Sequence, residues 1–136
     1  MADDGGLSKF QRRIRAMIQA GKAGAEPALA QGGYEIAEAM ESLAPEDEGD
    51  LIGSIAVTLA GHATPPYSQP GGSHVVPENQ VAITAGNADV RYPHLQEYGT
   101  KYHPAQPFFW PGFRLAKPRA ERRIKRALAK AIREAK

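Results

Sequence analysis

A single apolar stripe near the C-terminus limits the folds open to this chain. Ile124, Ala127, Leu128, Ala131, Ile132 and Ala135 fall at i, i+3, i+4, i+7, i+8 and i+11, the spacing of one helix face. Bases occupy most of the other positions, so the segment reads as a long amphipathic helix. Pro111 is expected near its start, and Pro118 is expected to kink or divide it.

Two more helical patterns open the chain. Leu7, Phe10, Ile14, Met17 and Ile18 recur at helical spacing, with Ser8 as the expected N-cap. Gly21, Gly24 and Pro27 are expected to end that helix and leave it peripheral. Leu29, Ile36, Met40 and Leu43 then line one face of a second helix, which Pro45 stops. Ile52–Ala60 is β-branched and short and reads as a strand, with the alternating Gln80–Ala85 as its antiparallel partner. The nineteen residues Gly61–Asn79 between them hold four prolines and three glycines. Loops beyond about 12–15 residues are usually functional or disordered. Gly86-Asn87 marks a turn, Ala88–Arg91 is expected as a short third strand, and Tyr92–Tyr98 as a helical turn or an irregular edge.

At 136 residues the chain has the length of one domain. The absence of cysteine excludes disulfides, thiolate nucleophiles and cysteine-held metals. No run approaches the roughly 20 apolar residues of a membrane span. Met1–Gly6 lack the apolar region of a signal peptide, so a soluble protein made in a cytoplasm is expected. The net charge of +2 conceals an asymmetry. Residues 1–68 carry ten acids and five bases, whereas residues 69–136 carry five acids and twelve bases. Segregated charge suits head-to-tail stacking of subunits or local contact with a polyanion.

Catalytic signatures are missing. The acidic run Glu46–Asp50 lacks the ligand spacing of a calcium loop and reads as a solvated turn. The four histidines have no zincin spacing, and no phosphate-binding glycine motif or nucleophile elbow occurs. His94, Tyr98, Lys101 and His103 are the one set that imitates the acid–base group of a small ribonuclease. No catalytic, cofactor or metal residue is therefore assigned. Arg122, Arg123, Arg126, Lys130 and Arg133 on the last helix suit a solvated face, an acidic neighbouring subunit or DNA phosphates. Pro104–Phe113 concentrates three of the four phenylalanines and the only tryptophan. Core packing at a helix start and an oligomer interface anchored by Phe108, Phe109 or Trp110 are both open.

Two segments taken together resemble a known family. Ala44-Pro45-Glu46-Asp47-Glu48-Gly49-Asp50-Leu51-Ile52-Gly53-Ser54-Ile55 is similar to the Ala-Pro-x-Asp-Thr-Gly-x-Leu-x-x-Ser-Ile signature of small neck and tail-completion proteins of long-tailed double-stranded DNA phages. Leu95-Gln96-Glu97-Tyr98-Gly99-Thr100, then Pro104-Ala105-Gln106-Pro107-Phe108-Phe109-Trp110-Pro111-Gly112, resembles that family's Glu-Phe-Gly-Thr and Pro-Ala-Gln-Pro-Phe-Leu-x-Pro-Ala segments before a C-terminal helix. The likeness spans roughly residues 25–136. Glu48 stands where threonine is usual, Tyr98 for phenylalanine, Phe109 for leucine and Gly112 for alanine.

The resemblance implies a non-enzymatic virion protein, without cofactors, forming a homo-oligomeric ring at the head–tail junction. Hexamers or dodecamers are expected, flanked by head-completion or portal-side proteins and by tail-tube proteins, with non-specific contact to packaged DNA and none to membranes. It would be assembled in the host cytoplasm. A tail terminator capping the tube is the alternative within the family; a small basic nucleic-acid-binding protein is the alternative outside it. Tyr67 and His74 in the long loop join Phe108, Phe109 and Trp110 as candidate interface residues. Deleting residues 64–76 is expected to spare folding and block head–tail joining. Gly49 and Gly99 are expected in left-handed turns, and Leu51 and Ile55 in the core. The expected fold is α+β: one domain, with a small antiparallel sheet packed by two or three helices, the last long and basic.

Overall fold

A computed structural model describes residues 5–45, 49–102 and 104–135. In chain order the elements are α1 (Leu7–Leu43), α2 (Gly49–Gly53), β1 (Ala56–Leu59), β2 (Val81–Thr84), α3 (Pro93–Tyr98) and α4 (Phe109–Glu134). The fold is α+β: the two long helices pack on each other, and a two-stranded antiparallel sheet packs on α1.

The largest departure from expectation is α1, which is one helix rather than two. Its 37 residues span about 55 Å at about 1.5 Å per residue. The supposed breakers are contact points with α4. A Cβ on Gly21 would meet Leu128 at 3.0 Å, and one on Gly24 would lie 2.3 Å from the Ala131 Cβ. Gly32 faces Ala120 at 3.1 Å, and Gly112 of α4 faces the Met40 backbone at 2.7 Å. These pairings run antiparallel. A glycine inside a helix costs about 1 kcal/mol relative to alanine; here its missing Cβ lets the helices approach closely enough to offset that. Pro27 and Pro118 are both exposed, as are Ala23 and Arg114 four residues earlier. The carbonyls deprived of a donor thus lie on solvent faces, and both helices run through. Gly6, with φ 86°, is the N-cap of α1; Ser8 lies inside its first turn.

The strands follow the sequence more closely. Ala56 pairs with Thr84 and Leu59 with Val81. Gly49–Gly53 winds into α2 instead of starting the strand, and Gly49 opens that turn without a left-handed backbone. Ser54, after α2, donates to the Leu51 carbonyl (2.7 Å) and accepts from the Gly86 N–H (3.0 Å), tying α2 to the end of β2. Ala88–Arg91 is a turn, not a strand, because the Asn87 side-chain oxygen takes the N–H groups of Asp89 and Val90, both at 2.9 Å. Gly99 adopts φ 77° after α3, as expected.

The core gathers Ile36, Met40, Leu51, Ile55, Ala85, Val90, Phe108 and Phe109. Leu51 and Ile55 are buried as expected, Leu51 from α2 rather than a strand. At the other end of α1, every residue from Gly5 to Ala16 is exposed. No helix among the described residues is long and apolar enough to cross a membrane.

Candidate functional site

The two segments that carry the resemblance meet at the base of α4. The residue before that helix is Phe108, which has no side chain able to cap it. Its first N–H groups need another acceptor. Glu97, buried on α3, supplies one: Oε1 accepts from the N–H of Phe108 (2.9 Å) and Phe109 (2.8 Å), and Oε2 from that of Trp110 (3.2 Å). A carboxylate there also lies at the positive end of the helix dipole. Gln96 adds two bonds to Gln106, backbone to backbone and side chain to side chain, each 2.8 Å. Tyr98 Oη accepts from Trp110 Nε1–H at 2.9 Å. Three consecutive residues of α3 thereby fix the start of α4.

The aromatic run is a ladder of edge-to-face pairs. Ring centroids lie 6.3 Å apart for Phe108–Phe109, 5.0 Å for Phe109–Trp110 and 5.9 Å for Trp110–Phe113. Phe108 is fully enclosed and Phe109 nearly so, which corrects their expected role as interface anchors: they fill the chain's own core. Trp110 is half-buried and Tyr98 exposed, so the surface of this junction is theirs. A cavity of about 110 Å³ opens beside them, lined by Pro70, Ala85, Pro93 and His94 among others.

The long loop is stitched down rather than extended. Ala63 bridges Val75, and Gln69 bridges Ala85. Thr64 is its hub: its Oγ1 accepts from the His74 N–H (2.9 Å), and its carbonyl accepts from Ser73 Oγ (2.8 Å). Thr64, Ser68 and Val76 are buried, so deleting residues 64–76 removes packed structure. That packing argues against the expectation that folding survives the deletion. Tyr67 and His74 are both exposed on this loop. The Arg91 guanidinium stacks over the Tyr67 ring at 3.7 Å from its centroid.

Of the five basic candidates, four form one surface. Arg122, Arg126, Lys130 and Arg133 are exposed and spaced to share one face of α4. Arg123 leaves the set because it pairs with Glu35 of α1 across the helix interface. The other Glu35 oxygen is buried without a partner, so this ion pair is a packing element rather than a polyanion contact. His94 and Tyr98 are one turn apart on α3, both exposed; His103 and residues 46–48 of the acidic run lie outside the described residues. Among the described residues, no three His, Asp or Glu side chains gather as a metal site.

Sequence reading missed Glu97. The signal was present: α4 begins without a Ser, Thr, Asp or Asn cap, and Glu97 is the only acid between Val90 and Lys117. No protein-family model matches the chain, and neither a curated protein nor a solved structure matches it significantly.

Proposed function

We propose that the protein is a structural, non-enzymatic component of a tailed-phage or phage-like particle that forms a ring at the head–tail junction. The observation that carries this reading is the convergence of the two resembling segments. Ala44, Leu51 and Ile55 from the first share one core with Phe108 and Phe109 from the second. Ser54 and Glu97, one from each segment, are buried and hydrogen-bonded at element junctions. The quoted residues thus have joint structural uses, which suits a scaffold built for assembly. Rings of this kind are closed by repeated heterologous contacts.

The exposed row of Arg122, Arg126, Lys130 and Arg133 favours a second reading, direct contact with DNA phosphates, either in a channel or as an isolated module. Light scattering of the purified chain across a concentration series at two salt levels separates the two. Discrete self-association supports the ring. A persistent monomer that binds DNA with a steep salt dependence supports the nucleic-acid module.

A further inference from the structure

The exposed first turns of α1 and a groove at the far end of the same helix are complementary. Leu7, Phe10, Ile14 and Ile18 are exposed apolar side chains at the spacing of one helix face. They lie N-terminal to Gly21, where Leu128 and Ile132 of α4 cover α1. Interspersed with them are Lys9, Arg12, Arg13 and Arg15, and no acidic residue occurs between Leu7 and Ala25. A helix face of this apolar character left in water gains from burial against a partner. At the other end, Tyr34, Glu38 and Glu41 of α1 and Ile55 and Val57 beside it line a groove of about 390 Å³, floored by Ala37. Neither Glu38 nor Glu41 has an ion pair among the described residues.

We infer that the arm of one copy docks, apolar face down, into this groove of a second copy, with Arg13 and Arg15, which flank that face, turned toward Glu38 and Glu41. Charge complementarity selects the occupant, and helix geometry excludes the chain's own arm. Arg13 and Glu38 are on one continuous helix and about 38 Å apart at about 1.5 Å per residue. The contact is heterologous, so each copy offers one arm and one groove. The inference rests on the ring reading only for closure of the assembly.

The test uses sedimentation of the full chain and two variants. An arm variant combines Phe10→Asp with Ile14→Asp; a groove variant combines Glu38→Arg with Glu41→Arg. Circular dichroism and thermal melts check that both remain folded. Wild type is expected to associate with concentration and each variant alone to stay monomeric. An equimolar mixture of the two is expected to give a dimer of twice the monomer mass and nothing larger, because each dimer has only one working arm and one working groove. Reversing both sides in one chain (Arg13→Glu and Arg15→Glu with Glu38→Arg and Glu41→Arg) is expected to restore association. Variants that associate like wild type overturn the inference, as does a mixture that stays monomeric. A wild-type monomer at every concentration also overturns it, including one whose arm binds phosphatidylserine vesicles instead. Arm-dependent oligomers that are absent from particles would refute the ring reading and leave the docking intact.

Discussion

Replacing Glu97 is the sharpest test of how the α3–α4 junction is held. In Glu97→Ala the N–H groups of Phe108 and Phe109 lose their acceptor inside the protein, whereas Trp110, half-buried, is closer to water. An orphaned buried donor costs about 1–3 kcal/mol, and loss of the charge at the helix start adds about 0.3–1 kcal/mol. Two such donors and the dipole give a loss of about 2–7 kcal/mol, a large share of the roughly 5–15 kcal/mol stability of a typical domain. At about 3–5 °C per kcal/mol for a chain of this size, Tm falls by about 6–35 °C. Glu97→Gln keeps the length and one acceptor oxygen but not the charge, so its loss is about 1–2 kcal/mol. Urea unfolding at neutral pH measures both, with an unchanged m-value reporting that only stability moved. Amide exchange at Phe108 and Phe109 reads the local effect. A Glu97→Ala loss below about 1 kcal/mol, with the protection of those amides intact, refutes the cap.

Three further outcomes follow from the packing. Gly24→Ala should destabilise by about 1–2 kcal/mol net, because crowding against Ala131 outweighs the gain in helix propensity; Gly53→Ala, with open space around it, should be neutral or stabilising, and thermal melts compare the two. Arg123→Ala should cost about 1–3 kcal/mol by stranding the Glu35 carboxylate, while Arg126→Ala stays within about 0.5 kcal/mol, both read by urea titration. If the chain binds DNA, neutralising Arg122, Arg126, Lys130 or Arg133 should each lower the slope of log K against log salt by about 0.9, and Arg123→Ala should leave it unchanged.

The parts of the fold legible in the sequence are those set by local pattern. β2 lies within one residue of Gln80–Ala85 at each end because strict alternation and the Gly86-Asn87 turn both mark it. α4 follows from its apolar stripe. The continuity of α1 was not legible, because a glycine that breaks a helix and one that admits a neighbouring helix look alike until the partner is in view. Gly24 opposite Ala131 and Gly112 opposite Met40 decide the matter only in three dimensions. The candidate site was half legible. The clustering of Phe108, Phe109 and Trp110 is plain in the sequence, but which ring faces inward depends on how α3 seats the helix start. Glu97 acts across eleven residues to Phe108, beyond any local capping pattern. Arg123 belongs to the same basic run as Arg122 and Arg126, and only the position of Glu35 separates it from them.

The central claim, a ring that joins heads to tails, is tested most directly by deleting the coding sequence in the strain that carries it and examining induced lysates by electron microscopy. The account predicts filled heads and separate tails that never join, with joining restored by supplying the intact chain. Normal, infectious, joined particles in the deletion strain would contradict it.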